Sequence, residues 1–151
     1  MQVTGESHTH RSSPQKDSKM VFTVKDMSFN AGTELKISGK VKSDCEGFSV
    51  NVGHDCDNIA LHFNPRFTQS GDSRVIICNS NLGGWGDEHR EPSFPFEHGQ
   101  EFKVSITFNN ETFYIKLPDG NMMSFPNRHG DDSFGHVHVY GDVKVHSVKV
   151  K

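Results

Sequence analysis

This 151-residue chain lacks the features that mark membrane, secreted and nucleic-acid-binding proteins. No apolar run approaches the roughly 20 residues that cross a bilayer as a helix. The N-terminal segment, MQVTGESHTHRSSPQKDSK, has no apolar core of the kind found in secretory signals. The formal net charge is −3, which gives no indication of a general attraction to nucleic acid or anionic membranes. We therefore expect a protein that inserts into no membrane and binds no nucleic acid.

Cysteine is scarce, with three residues whose spacing fits neither a disulfide framework nor a zinc ribbon. Cys45 and Cys56 flank a predicted strand, GFSVNVG, which at about 3.3 Å per residue would hold them some 25–30 Å apart. A disulfide requires Cα atoms within about 7 Å, so we predict a reduced, cytosol-made protein. Strand alternation places Cys78 in the core. We predict that Cys45 and Cys56, in loops, react first with alkylating reagents.

The chain divides into a short polar segment and one domain. Residues 1–19 contain Ser, Thr, His and Lys without periodic apolar residues, which predicts a flexible N-terminal extension. Residues 20–151 are enough for one domain with a sizeable core and too few for two.

From residue 20 onward the hydrophobic pattern has a period of two, which indicates antiparallel sheets with one buried and one wet face. Asp119-Gly120 between two such runs is a hairpin signal. The pattern predicts an all-β fold of two packed antiparallel sheets. The alternating apolar residues are Leu35, Ile37, Phe48, Val50, Val52, Phe102, Val104, Ile106, Phe108, Phe113, Ile115, Leu117, Val137, Val139, Val143, Val145, Val148 and Val150.

The segment LHFNPRF puts three polar side chains on one strand face. Alternation turns Leu61, Phe63 and Phe67 to the core and His62, Asn64 and Arg66 outward. Its proline, which cannot donate to a ladder, predicts an edge or bulged position at residue 65.

A second strand, RVIICN, ends at Asn79, and a glycine-rich loop then carries Trp85, Glu88 and Arg90. Sugar hydroxyls both donate and accept hydrogen bonds, which suits such side chains, and the C–H face of a sugar stacks on an aromatic ring. An Arg–Glu–Arg group holds its own geometry by ion pairing. Taken singly, a lone Trp is more often core and a charged run more often a solvated loop. Their concentration within residues 61–92 indicates a carbohydrate site.

The same residues resemble a known family. HFNPRF, followed by CNS, W-G-x-E-x-R and FPF, resembles the carbohydrate-recognition domain of galectins, the β-galactoside-binding lectins. LPDG, FPNR and the closing GDVKVHSVKV extend the resemblance over residues 20–151. The resemblance implies a jelly-roll β-sandwich that binds lactose and N-acetyllactosamine-type glycans on glycoproteins and glycolipids, without a cofactor.

The resemblance also implies roles for the residues that contact galactose. His62, Asn64 and Arg66 would contact the axial 4-hydroxyl, and Arg66 would also reach the ring oxygen. Trp85 would stack on the apolar face of the sugar. All of these positions hold the residue types of the family.

A second group of residues would extend the contacts beyond the 4-hydroxyl. The resemblance implies that Asn79 and Glu88 bind the 6-hydroxyl. Arg66, Glu88 and Arg90 would reach the neighbouring glucose or N-acetylglucosamine. A loop at residues 68–70 could tune the preference for longer glycans.

Galectins typically occur in the cytosol and, by a non-classical route, outside the cell, which is the localisation we expect. A single domain with one site gains avidity only when paired, so we expect a homodimer that crosslinks glycans. The C-terminal VKVHSVKVK could offer a pairing edge, with residues 21–24 beside it, although residues 1–19 could cover that edge instead.

Two other function classes use residues of the same region. A glycosidase would need two carboxylates about 5 Å or 6.5–9.5 Å apart, and Asp87, Glu88 and Glu91 are the candidates. Pairing of Glu88 with arginines would make it a poor acid, so we expect no enzyme. A structural, crystallin-like protein would keep the fold with weak or no sugar binding, and retention on a glycan column distinguishes it.

Histidine suggests a third alternative, a metal site. His136 and His138 lie two apart on a strand, and His8 and His10 lie two apart near the N-terminus. Two histidines on one strand face can bind zinc. Because the sequence offers no third clustered ligand, a solvated face is the preferred interpretation and no metal is expected.

Overall fold

The computed structural model describes the backbone of Gln2 and Val3 and residues 19–151. Within these residues every regular element is a β-strand, and none is a helix that could cross a membrane. Every paired strand runs antiparallel to its neighbours. The all-β sandwich expected from the alternation is therefore confirmed.

The strands form two six-stranded sheets and one short two-stranded sheet. Sheet 1 runs in the order β1 (Gln2–Val3), β14 (Val143–Val150), β4 (Leu35–Val41), β9 (Glu101–Phe108), β10 (Thr112–Lys116) and β11 (Met122–Pro126). Sheet 2 runs in the order β2 (Met20–Val24), β13 (His136–Gly141), β5 (Phe48–Asp55), β6 (Asn58–Gln69), β7 (Asp72–Asn81) and β8 (His89–Glu91). The third sheet pairs β12 (Ser133–Phe134) with β3 (Phe29–Asn30).

The core between the sheets contains all the alternating apolar residues predicted above, each at most 8% exposed. Phenylalanine rings interlock across it, as where Phe48 meets Phe102 at 5.2 Å between centroids. Along β14 the alternation of buried residues shifts by one position between Val145 and Val148, and this shift has a local cause. A register shift between Val145 and Ser147 inserts one residue, so that Val148 again points inward.

The hairpin predicted at Asp119-Gly120 joins β10 and β11. Gly120 has a φ of 89°, which glycine adopts without a steric penalty, and its N–H donates to the carbonyl of Leu117. The hairpin brings both strands to one end of sheet 1.

The cysteines depart from the sequence-based expectation in one respect. Cys78 is buried in the core as predicted, and Cys56 is exposed, but Cys45 is 2% exposed and belongs to the core. The turn from Lys42 to Cys45 tucks the thiol inward. Burial, followed by the nearby charge of Asp142, raises the pKa of Cys45 to about 12. The prediction that Cys45 reacts early is therefore wrong.

The predicted extension at residues 1–19 falls largely outside the described residues. Its described parts are Lys19 and strand β1, which pairs with the C-terminal strand through Gln2↔Lys149 and Val3↔Val148. Strand β2 pairs with β13 in sheet 2 and not with β14, so β2 and β14 contact each other without forming a ladder.

Candidate functional site

Three neighbouring strands of sheet 2 bring the predicted polar residues onto one face. His62 of β6 lies opposite Asn79 of β7 on one side and opposite Asn51 of β5 on the other. Asn51 in turn lies opposite His138 of β13. The core side of the same strands is filled by apolar residues such as Phe63. The row His138–Asn51–His62–Asn79 therefore crosses the face of the sheet that is turned away from the core.

Pro65 fixes the side chain of Asn64. In the register of β5 and β6, Pro65 lies opposite Phe48. At this position the two strands would exchange backbone hydrogen bonds, because two residues away the Phe67 N–H donates to the Glu46 carbonyl. Proline has no N–H to donate, and the Nδ2 of Asn64 donates to the Phe48 carbonyl instead, at 2.8 Å. The expected edge or bulged position is wrong, because β6 is an interior strand and neither of its ladders shifts register at Pro65.

The hydrogen bond between His62 and Asn51 determines which ring nitrogen of His62 carries the proton. The Nδ2 of Asn51 donates to the Ser49 hydroxyl at 2.9 Å and lies 3.4 Å from the His138 carbonyl, which turns its Oδ1 toward His62. The Nδ1 of His62 donates to this oxygen at 2.5 Å. A neutral imidazole has one donor and one acceptor, so Nε2 is left as an acceptor for a ligand.

The charge state of His62 follows from its surroundings. Burial, and then the positive charge of Arg66, lowers the pKa of His62 to about 4. The imidazole is therefore neutral at physiological pH. Its ring centroid lies 4.8 Å from that of Trp85, so the acceptor stands next to the aromatic wall of the site.

Arg66 belongs to a charged network whose centre is Asp72. The Nη1 of Arg66 donates to Asp72 at 2.7 Å, and Arg90 donates to the other carboxylate oxygen at 2.8 Å. Glu88 lies 3.2 Å from Arg90 and 4.0 Å from Arg66. Hydrogen bonds from both arginines, that of Arg90 first, hold the pKa of Asp72 below its ordinary value. The expected Arg–Glu–Arg group is present, with Asp72 as an additional member.

Arg66 is also fixed from its own strand. Its Nε donates to the Oδ1 of Asn64 at 2.8 Å, so the amide held by Phe48 orients the guanidinium. Two nitrogens of Arg66 therefore hold hydrogen bonds before any ligand is present, and the planar guanidinium thereby fixes the direction of the third. Such pre-organisation lowers the entropy lost on binding.

Asp72 enters the network because of a tight hairpin. Ser70 and Gly71, with φ of 53° and 82°, form a two-residue turn between β6 and β7. The turn pairs Gln69 with Asp72 and thereby brings Asp72 beside Arg66. Residues 68 and 69 belong to strand β6, so the predicted loop at residues 68–70 is a hairpin. The Ser-Gly pair was the sequence signal that could have identified Asp72.

Asn79 is 5% exposed and holds the glycine-rich loop against the sheet. Its Nδ2 donates to the Gly86 carbonyl at 2.9 Å, and its Oδ1 accepts from Arg128 at 3.1 Å. Arg128 also donates to the carbonyl of Asp87 at 2.8 Å. An amide nitrogen carries two hydrogens, so Asn79 retains one for a ligand. Arg128, present in the FPNR motif, is a supporting residue that the sequence argument did not assign.

Trp85 is not a core residue. Its side chain is 54% exposed, while its backbone is held by a β-bridge to Asn81. The ring borders a groove of about 490 Å³ on sheet 2, and Ile77 forms part of the floor. All the predicted binding residues except Arg90 line this groove, namely His62, Asn64, Arg66, Asn79, Trp85 and Glu88. Arg90 reaches the same network through Asp72.

The histidines of the metal alternative lie on β13. The rings of His136 and His138 are 5.3 Å apart, and both residues are buried, so the expectation of a solvated face is wrong. Burial lowers the pKa of His138 to about 4. In the described part of the chain, no three His, Cys, Asp or Glu side chains come together as metal ligands. His8 and His10 lie outside the described residues.

Residues 20–150 match the family model of the galactoside-binding lectins. The β-galactoside-binding lectin of Electrophorus electricus is 43% identical over 126 residues, covering 83% of this chain and 93% of that protein. Galectin-1 of Mus musculus is 44% identical over 128 residues, covering 84% and 95%.

Two solved structures have the same fold. Congerin II, in a structure with lactose and MES, gives a TM-score of 0.83 at 37% identity, covering 85% of this chain and 98% of that one. CG-16, a homodimeric agglutinin from chicken liver, gives 0.83 at 39% identity, covering 86% and 98%. The family match over the whole described domain, together with these relatives, leads to one conclusion: the chain belongs to the galectins, the family of galactoside-binding lectins.

Proposed function

We propose that the groove on sheet 2 binds the galactose of lactose and N-acetyllactosamine-type glycans. The observation that carries the proposal is the exposed ring of Trp85 standing beside the ordered row of His62, Asn64 and Arg66. An aromatic wall next to fixed donors and acceptors suits a sugar, which has an apolar C–H face and a hydroxylated edge.

Each side chain has a distinct task in this proposal. The Nε2 of His62 accepts a hydrogen bond from the 4-hydroxyl of galactose, because Asn51 occupies Nδ1. Arg66, held by Asn64 and Asp72, donates to the 4-hydroxyl and the ring oxygen. The axial direction of a 4-hydroxyl brings it to these groups, so an equatorial 4-hydroxyl should bind less well.

The remaining residues bind the 6-hydroxyl and the second sugar. Asn79 offers its free amide hydrogen and Glu88 a carboxylate oxygen to the 6-hydroxyl. Glu88 and Arg90 stand at the side of the groove where the neighbouring glucose or N-acetylglucosamine would lie. Glycoproteins and glycolipids that end in such disaccharides are the proposed partners.

The expected affinity is modest. Lactose has about 23 heavy atoms, and roughly 0.3 kcal/mol per atom gives about 7 kcal/mol, or a Kd near 10 μM at best. A shallow, wet groove should bind in the range of tens of micromolar to about a millimolar. Galectins are lectins and not enzymes, so Asp87, Glu88 and Glu91 have no hydrolytic role.

Crosslinking requires a second site, which we propose a homodimer supplies. The chicken-liver relative CG-16 is described as homodimeric. We also propose that the protein acts in the cytosol and, after non-classical secretion, on cell-surface glycans. Neither metal nor disulfide is required, because the groove is formed by side chains that hydrogen-bond to one another.

The decisive experiment compares two aromatic substitutions. Trp85→Ala should abolish most lactose binding in a calorimetric titration while leaving the thermal midpoint close to wild type. Tyr114→Ala is the matched control, because Tyr114 is also an exposed aromatic residue, 39% exposed, but lies on sheet 1. Intact binding by the Trp85 variant would contradict the proposal, and retention on a lactose column separates a lectin from a crystallin-like protein.

A further inference from the structure

The outer face of sheet 1 is strongly basic. Strands β4, β9, β10 and β14 turn their apolar residues inward and their lysines toward solvent. We call this surface the lysine face and define it by Lys36, Lys40, Lys103, Lys116, Lys144, Lys149 and Lys151. It holds seven of the eleven lysines of the chain.

The net charge of −3 does not reveal that basic and acidic side chains lie on different parts of the surface. In the described part of the chain, the acidic residues on or beside the lysine face include Glu34 and Glu101, Asp44, which shares a groove with Lys40 and Lys144, and Asp119 in the turn between β10 and β11. Apart from these residues and the seven lysines, the sequence holds nine basic and fifteen acidic side chains. The protein is therefore polarised, with a positive face on one sheet and negative charge elsewhere, and such a field concentrates anions at the positive side.

Two pairs of lysines face each other directly on neighbouring strands. Lys36 lies opposite Lys149, and Lys40 lies opposite Lys144. Like charges in such positions destabilise a sheet, by roughly 0.2–1 kcal/mol for each pair. Among the described residues, the only ion pair made by this face is that of Lys36 with Glu34, at 3.7 Å. An anionic ligand would relieve this repulsion and bind more tightly because of it.

A groove of about 390 Å³ runs through the centre of the lysine face. Hydroxyl groups lie between the charges, since Ser38 is paired with Ser147 at 2.8 Å and Ser105 lies between Lys36 and Lys116. Neighbouring strands are about 4.8 Å apart, so β14 to β10 places several ammonium groups along roughly 15 Å. This spacing and these hydroxyls suit an extended chain that carries repeated anions and its own hydroxyl groups.

We propose that the lysine face binds a sulfated polysaccharide. The exposed ring of Tyr114 lies two residues from Lys116 on β10, but none of the described residues that line the groove is aromatic, so nucleic acid bases have no continuous stacking surface there. Nor does this lining contain an arginine, the residue that recognises phosphate in a bidentate manner. Trp, Phe and Met are also missing from this lining, and Met122, exposed opposite Lys116, is a single apolar side chain, which disfavours insertion into a lipid surface. The site lies on the sheet opposite the galactoside groove, so both ligands can bind at once.

Dextran sulfate is the probe, because it is a sulfated polyglucose without galactose. Full-length protein should bind immobilised dextran sulfate at about 50 mM salt and lose affinity steeply toward about 200 mM, as counterion release requires. Neutral dextran should not bind, and saturating lactose should not displace the protein.

The double variant Lys36→Gln/Lys149→Gln should bind dextran sulfate about tenfold more weakly, with a shallower dependence on salt, by about one unit of slope for each lysine. Its lactose affinity should be unchanged and its thermal midpoint equal or higher, because a repulsive pair is removed. The matched control is Lys25→Gln/Arg74→Gln, which removes the same charge from exposed positions on the sheet 2 side and should bind dextran sulfate within about twofold of wild type.

Several outcomes would overturn the proposal. These are the absence of binding at low salt, displacement by lactose, or equal weakening in the control variant. Equal or tighter binding of a single-stranded oligonucleotide or of phosphatidylserine vesicles would assign the face to a different partner. Lactose titration of the same samples reports on the galactoside groove independently.

Discussion

The Nδ1 of His62 donates to the Oδ1 of Asn51 at 2.5 Å, and this contact connects the chemistry of the groove to pH. Burial and Arg66 hold the pKa of His62 at about 4, well below its ordinary value of 6.5. Lactose affinity should therefore be constant from pH 7.5 to about 5 and fall as pH approaches 4, when Nε2 becomes protonated. An unperturbed imidazole, with a pKa near 6.5, would instead lose affinity as pH falls through about 6 toward 5. Calorimetric titrations across this range measure it.

Folding stability should depend on pH with a sign set by the same histidine. In the unfolded chain His62 takes up its proton near pH 6.5, whereas in the folded protein it does so only near 4. Its contribution is therefore complete above pH 6.5, decreases as pH falls from 6.5 to 4, and changes no further below 4. His138, with a pKa of about 4 caused by burial, adds to the effect. Denaturant unfolding at several pH values would measure this, and a curve without slope between pH 6.5 and 4.5 would contradict it.

Replacing Asn51 by aspartate tests directly whether the protonation of His62 controls lactose affinity. Asn51→Asp retains an acceptor for Nδ1 but adds a negative charge, which should raise the pKa of His62 and move the loss of lactose affinity toward neutral pH. Asn58→Asp is the matched control, because Asn58 also accepts from a histidine, His129 at 2.5 Å, outside the groove. An unchanged pH profile in the Asn51 variant would show that His62 does not act as an acceptor.

Asp72→Asn should separate the charged network. The substitution removes the charge that both Arg66 and Arg90 contact, so lactose affinity should fall roughly five- to tenfold through loss of pre-organisation. The thermal midpoint should change little, because the network lies at the surface. Asp87→Asn is the control, because Asp87 accepts a hydrogen bond from Arg128 through its backbone carbonyl. Equal effects of the two variants would mean that Asp72 does not orient the arginines.

Thiol reactivity should reflect burial. Cys56 is exposed, whereas the pKa values of Cys45 and Cys78 are both raised, mainly by burial. Iodoacetamide should modify one thiol quickly in native protein, and Cys56→Ser should remove that fast phase.

Lactose binding should be the same with and without reductant or chelator. A tenfold weakening by chelator would support the metal alternative.

Strand β1 gives a prediction about self-association. It occupies the edge of β14, which is a surface on which a second chain could pair. A form that begins at Met20 should dimerise at lower concentration than full-length protein in light scattering, and should agglutinate red cells more strongly. Equal masses for the two forms at low and high micromolar concentration would contradict this role of β1, and loss of lactose binding on truncation would contradict the domain boundary at residue 20.

The sequence predicted the fold and the binding face because both depend on residue alternation. A period of two places Val50 and Phe63 inside and His62 and Asn64 outside regardless of the details of pairing. Partners across strands are a different matter, because they depend on register. Asn51 meets His62 from eleven positions away in the chain, and no local pattern indicates that these two residues face each other.

Local turns account for the other differences. Cys45 was expected in a loop because it precedes a strand, but the turn that begins at Lys42 directs its thiol into the core. The sequence pattern does not indicate Asp72, because the Ser-Gly pair that precedes it also fits a flexible loop. The left-handed conformation of Ser70 and Gly71 makes that pair a tight hairpin instead.

The pairing of Pro65 with Phe48 has a consequence for how this groove can change. Any other residue at position 65 would restore a backbone N–H opposite the Phe48 carbonyl, and that oxygen would then be shared between two donors, the new N–H and the side chain of Asn64. A more regular ladder would therefore weaken the hydrogen bond that holds the amide of Asn64, and with it the orientation of the Arg66 guanidinium. The site therefore depends on residue 65 having no backbone N–H.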